Sequence, residues 1–211
     1  MTFAELKTEV FRVLKENSTT PVYWSAQDVE DSLNEGLETI SEASEFYETN
    51  TTVSLQANQT YYDLKDLAGD GFLRVTRVWN TQTSRWLAPT DVRKLDGAYR
   101  QWEKNTGEPQ KWFVRGLWHL GVWPKADATS GTVKVYHRSL PAALSATTDT
   151  PAFQREFHQG LVRYAAYDLL AQDGETRKAL TQYEQYLGFE NRLKAYVGGR
   201  ISVDRIGGFR G

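Results

Sequence analysis

The 211-residue sequence predicts an α+β chain: a four-helix bundle formed by N- and C-terminal helix pairs, a β-rich middle insertion, and an extended C-terminal arm. Three observations carry this reading. Apolar residues recur at helical spacing near both ends. Between 51 and 149 the period falls to two, and six of the seven tryptophans lie between 79 and 123. The stretch 199–211 holds four glycines and too few apolar residues to build a core. The expected organisation is 1–50 with 150–198 as the helical bundle, 51–149 as the β-rich insertion, and 199–211 as the arm.

Residues 2–17 read as the first helix. Thr2 and Glu5 make a T-x-x-E capping box, and Phe3, Leu6, Val10, Val13 and Leu14 follow helical spacing. NSTTP at 17–21 breaks it. Ser25 and Asp28 open a second helix with apolar stripe Val29, Leu33, Leu37, Ile40, Ala43 and Tyr47. Beside that stripe run Asp31, Glu35, Glu38, Glu42 and Glu45, alternately four and three apart and so on one face. Like charges at this spacing cost ~0.2–0.5 kcal/mol per pair in an isolated helix. A solvated face is the plain reading; a basic groove on a neighbour or the wall of a channel is the functional one.

From Thr51 the texture is that of strands. TTVSLQ, NQTYYDL, FLRVTRVWN, KWFVRG, LWHLGVWP and GTVKVYHRSL read as strands, with TQTSRW as a hairpin return, giving five to seven in all. In FLRVTRVWN, Leu73 and Val75 are expected to share a face with a residue near Val78. Residues 89–104 read as a short helix capped by Asp91. Helical period returns at 151–172, with Pro151 near the first turn and Phe153, Phe157, Leu161, Tyr164, Ala165 and Leu169 facing in. QDGE at 172–175 is a tight turn. A last helix from about Glu175 to Val197 turns Leu180, Tyr183, Leu187 and Leu193 inward, and Gly198 and Gly199 are expected to stop it.

Composition narrows the function. With no cysteine, disulfides, thiolate metal sites and cysteine nucleophiles are excluded. No apolar run approaches the ~20 residues of a membrane span, and the charged, amphipathic start is not that of a secretory signal. Charge is uneven: residues 1–50 carry 3 basic and 11 acidic groups, whereas 192–211 set Arg192, Lys194, Arg200, Arg205 and Arg210 against Asp204 alone. That asymmetry suggests head-to-tail complementarity between copies, or two different partners. No phosphate loop, dinucleotide fingerprint or nucleophile elbow is present. His119, His137 and His158 have no metal-ligand spacing, although His119 and His137 sit on expected strands and can meet in space; His158 reads as a surface or bundle-edge residue. The acidic stripe offers no pair of contrasting environments for acid–base work. No catalytic residue, metal or cofactor is expected. The tryptophans interleave with Arg74, Arg77, Arg85, Arg93, Arg100, Lys111 and Arg115. They read as a ring-filled core, with stacking on sugars or bases as the alternative.

YWSAQDVEDSLNEGLETISEASEFYETNTTVSL near the start resembles the opening of head-to-tail connector (adaptor) proteins of short-tailed phages. FLRVTRVWN, RWLAPTDVRKLD, TGEPQKWFVRGLWHLGVWPK and the helical close PAFQREFHQGLVRYAAYDLLAQDGETRKALTQYEQYLGFENRLK resemble the family in the same order, over about residues 1–205. The resemblance implies a non-enzymatic structural protein of the virion neck, made in the host cytoplasm and without membrane contact. It implies a homo-oligomeric ring of about twelve copies between the portal protein and a tail or nozzle protein, around a channel that double-stranded DNA crosses without specific binding. By the same resemblance the C-terminal arm docks on the portal, through Arg200, Ile201, Arg205, Ile206, Phe209 and Arg210. Asp31, Glu35, Glu38, Glu42 and Glu45 are expected to line the channel or meet the adjacent subunit, since an acidic wall repels DNA and lets it slide. The alternative is a β-rich carbohydrate- or nucleic-acid-binding module on a helical base, which needs several tryptophans exposed on one open face.

Overall fold

The structure, a computed structural model, describes residues 1–69, 71–127 and 131–207, the side chains at 67, 68 and 201–207 excepted. The chain is mixed α+β and divides into two compact units: Met1–Tyr47 with Leu140–Gly211, and Glu48–Ser139.

The first unit is helical. α1 (Phe3–Leu14) starts at the Thr2–Glu5 capping box and ends at Lys15, which is left-handed. α2 (Ala26–Ser44) starts at a Ser25–Asp28 box, whose hydrogen bonds hold the Asp28 carboxyl below its usual range. α5 (His158–Gln172) and α6 (Thr176–Gly207) follow the second unit in sequence. These four helices bury one apolar core, with Phe3, Leu6, Val10, Leu33, Ile40, Leu161 and Leu193 wholly enclosed. A buried Leu or Phe side chain is worth ~1.5–3 kcal/mol, so the core dominates this unit's stability.

Four local expectations are corrected here. The helix expected from Pro151 begins at His158, after a 3-10 turn at Arg155–Phe157. The preceding segment has other work: the carbonyls of Asp149 and Thr147 accept from the Phe3 and Ala4 N–H groups, which the first turn of α1 leaves unpaired. The Asp149 carboxylate accepts from Ser145 N and Ala146 N at 2.9 and 2.8 Å. Ala43, expected in the α2 stripe, is exposed. Leu180 is 54% exposed, because the inward stripe of α6 runs through Ala179, Tyr183, Tyr186, Glu190 and Leu193 instead. The small Ala179 takes the buried position and leaves Leu180 about 100° around the helix. Finally, α6 does not stop at Gly198–Gly199 and no extended arm follows them: the helix continues to Gly207. Each glycine costs ~1 kcal/mol against alanine but, unlike proline, keeps its N–H in the ladder. Residues 208–211 lie outside the described residues.

The second unit is a pair of four-stranded sheets. One has the order β1 (Glu48–Ser54), β8 (Thr132–Ser139), β3 (Phe72–Asn80), β4 (Arg85–Trp86), all antiparallel. The other has the order β2 (Tyr61–Asp63), β7 (His119–Trp123), β6 (Lys111–Arg115), β5 (Ala88–Pro89), with only β5–β6 parallel. Eight strands thus replace the expected five to seven among the described residues. Val53, Val75, Val78, Trp112, Leu120, Val122, Val133 and Val135, drawn from both sheets, share one core. Two register shifts in β3 break strict alternation, so Phe72, Val75 and Val78 face in and Leu73 is half-buried. α4 (Val92–Ala98), capped by Asp91, is shorter than expected, and a 3-10 turn at Trp102–Lys104 follows. Leu95 and Trp102 from these two elements cluster with Phe113 and Trp123 from the second sheet. Gly121 opposes Phe113 in the ladder, and a Cβ there would lie 2.3 Å from the Phe113 ring. A further short helix, α3 (Leu64–Ala68), precedes β3.

Candidate interaction surfaces

The most strongly patterned surface is the outer face of α2. This helix carries six acidic side chains and no basic one. Asp31, Glu35, Glu38 and Glu42 are exposed on the side opposite its buried residues. Glu45 is not on the helix proper: it is the half-buried C-cap, left-handed at φ 47°, with its N–H bonded to Ser41 O at 2.8 Å. Glu42 and Glu45 thus sit at the negative end of the helix dipole, which disfavours anions. Asp31 accepts from Gln27 Nε2 at 2.8 Å. Glu38 and Glu42 have no hydrogen-bond or ion-pair partner among the described residues. Among the described residues, no basic side chain pairs with Asp31, Glu35, Glu38 or Glu42.

One end of the stripe is fixed from α5. Gly36 lets the Tyr164 ring lie on the α2 backbone; a Cβ there would stand 2.8 Å from Tyr164 Cδ1. The Tyr164 hydroxyl then donates to Glu35 Oε1 at 2.9 Å. Burial, with the Glu35 charge adding, pushes the Tyr164 phenol up to about 12. One turn on, Ser32 Oγ donates to Asp168 Oδ2 at 2.6 Å. Sequence reading missed Tyr164 as a partner of this face and Asp168 as a partner of the buried Ser32. The usable signal was Gly36, a glycine inside a helical period with no capping role.

The residues expected to dock on the portal divide. Arg200 is exposed on α6, its guanidinium 4.5 Å from the Tyr196 ring. Ile201, Arg205 and Ile206 lie on the helix backbone, and Phe209 and Arg210 lie outside the described residues.

In the second unit the six clustered tryptophans do not make an open face. Trp102, Trp112 and Trp123 are buried, Trp79 and Trp118 are half-buried, and Trp86 is 49% exposed. Trp86 is already engaged: it meets Trp79 edge-on at 4.8 Å, and Arg77 lies 4.8 Å from both the Trp86 and Tyr136 rings. Arg77 and Arg138 also reach Glu48 at 3.4 and 3.3 Å.

The histidines sit apart. His119 is exposed on β7 and His137 buried on β8, in different sheets. His137 Nε2 lies 3.2 Å from Thr51 Oγ1, and burial lowers its pKa. His158 is 3% exposed rather than a surface residue, since its Nε2 donates to Phe153 O at 2.9 Å inside the helical core; burial lowers its pKa too. Among the described residues there is no cluster of ligating side chains able to hold a metal, and no helix long and apolar enough to cross a membrane.

A family model described as SU10 adaptor protein matches residues 1–206. A search of curated proteins finds no match.

Proposed function

The chain belongs to the SU10 adaptor protein family, structural proteins of the phage virion, and from that membership we propose that its copies form a ring joining the portal to the tail. Twelve copies, set in the virion neck, extend the DNA channel for genome retention and ejection, with the helical unit serving as the bundle of each subunit. The observation that carries this is the family match over nearly the whole chain. The one-signed outer face of α2 supports it. A channel that grips phosphate through Lys and Arg binds DNA with salt-dependent affinity, whereas a carboxylate wall does not. Asp31, Glu35, Glu38, Glu42 and Glu45 are assigned to the surface that meets the channel or the adjacent subunit. The segment 199–211 is assigned to the portal, through Arg200, Ile201, Arg205, Ile206, Phe209 and Arg210. A tail or nozzle protein is the partner on the far side of the ring.

The test is mass by light scattering of the protein alone and mixed with its portal. A ring-sized complex with the portal is expected, and a monomer in both conditions overturns the proposal. Truncation after Val197 then examines the C-terminal segment. Loss of portal binding is expected; undiminished binding removes that assignment.

A further inference from the structure

Opposite in character to the face of α2 is a groove of about 540 Å³ elsewhere on the helical unit. It is lined by Arg12 of α1, Gln159 and Arg163 of α5, and Gln185, Gly188, Phe189 and Arg192 of α6. Among the described residues no carboxylate lines it. Arg12 bonds Glu9 at 2.6 Å, just outside the groove. Arg163 has only the neutral Gln182 Oε1, at 2.9 Å, and Arg192 lies 4.4 Å from the Phe189 ring.

Gly188 makes the groove informative. Two other helical glycines of this unit have reasons internal to the chain: a Cβ at Gly36 would strike Tyr164, and one at Gly160 would stand 3.0 Å from Phe189 Cβ. At Gly188 nothing lies within 4 Å of where a Cβ would be, and its backbone is helical. A glycine there costs the helix ~1 kcal/mol against alanine. The fold gains nothing from it; a surface packing closely into the groove does. Gly198 and Gly199 are open in the same way, just before the segment assigned above to the portal and at its start.

We infer that this groove receives the acidic face of α2 from a second copy of the chain. The charges match: among the described residues, Arg163 and Arg192 have no anionic partner, and Glu38 and Glu42 have no cationic one. The two surfaces also point in different directions. On α5, Tyr164 and Asp168, which meet α2, lie about 100° and 140° around the helix from Arg163. A contact between two different patches of the same chain is head-to-tail, and such contacts generate rings when the rotation closes. This rests on the ring reading and assigns the stripe to the neighbouring subunit rather than to the channel wall.

The experiment uses the full chain, with mass measured alone and on the portal. R163E/R192E makes the groove acidic, and E38K/E42K makes the α2 face basic; Arg192, Glu38 and Glu42 are exposed and Arg163 is half-buried, and circular dichroism checks folding. Each variant alone is expected to lose self-association at least tenfold. An equimolar mixture is expected to regain it, because the acidic groove of the first variant meets the basic helix of the second, and the basic groove of the second meets the acidic helix of the first. Gly188→Leu, which suits a helix but fills the groove, is expected to melt no lower than the parent and to lose self-association. Parental assembly with unaffected variants, or variants not rescued by mixing, overturns this contact and leaves the ring reading standing. If the parent assembles neither alone nor on the portal, both fall.

Discussion

Replacing Gly36 and Gly188 separately by alanine makes the same chemical change in two helices, with opposite expected signs. In an open helix interior the change is worth ~1 kcal/mol of stability. At Gly188 the new methyl group meets nothing within 4 Å, so the whole gain is expected. At Gly36 it would stand 2.8, 3.1 and 3.2 Å from Cδ1, Cγ and Cβ of Tyr164. Those atoms sit near the α5 backbone and cannot swing away as a side-chain tip can, so the ring or the helix must shift. Overpacking of this kind costs ~1–3 kcal/mol. The shift also breaks the hydrogen bond to Glu35, worth ~1 kcal/mol at an exposed carboxylate. Set against the helix gain, the net loss is ~1–3 kcal/mol. For a chain of this size 1 kcal/mol moves Tm by ~2–4 °C. Thermal melts followed by the helical circular dichroism signal therefore place Gly188→Ala ~2–4 °C above the parent and Gly36→Ala ~2–12 °C below it. A Gly36→Ala protein as stable as the parent refutes the close approach of α2 and α5 at Tyr164.

Two further outcomes are expected. His137 and His158 both have native pKa values below the ordinary 6.5, chiefly through burial. The unfolded chain therefore takes up their protons first, so their contribution is complete above about 6.5 and is lost as pH falls from there through the depressed native values. Urea titrations from pH 7 to 5 will show declining stability, and His158→Gln will flatten the slope; an unchanged slope contradicts the buried neutral imidazole. Acrylamide will quench Trp86 readily and Trp102, Trp112 and Trp123 weakly, and neither sugar nor DNA will alter the quenching. Protection of several tryptophans by either ligand would favour the binding-module alternative.

Much of the helical unit was legible because its signals are local. A capping box needs only residues three apart, and the Thr2–Glu5 and Ser25–Asp28 boxes form as read. The alignment of Asp31, Glu35, Glu38 and Glu42 follows from helical geometry alone. The misreadings came where remote groups decide. Pro151 looked like a helix start, but the carbonyls of Thr147 and Asp149 are committed to α1. FLRVTRVWN reads as alternating, but pairing with β8 places register shifts in it. Leu180 looked inward because leucine is apolar, yet its neighbour Ala179 has the position facing the core.

By itself, then, the sequence determined the mixed α+β character, the starts of α1 and α2, the lack of thiol chemistry and the one-signed stripe on α2, since each depends on composition or on spacing within a few residues. Only the tertiary structure decided what surrounds that stripe. Tyr164 reaches Glu35 across 129 residues, and the arginine groove is assembled from α1, α5 and α6. Arg12, Arg163 and Arg192 are unremarkable surface residues in one dimension. They become a single electrostatic feature only when helix packing brings them to one concavity, and the open space over Gly188 exists only once its neighbours have been placed.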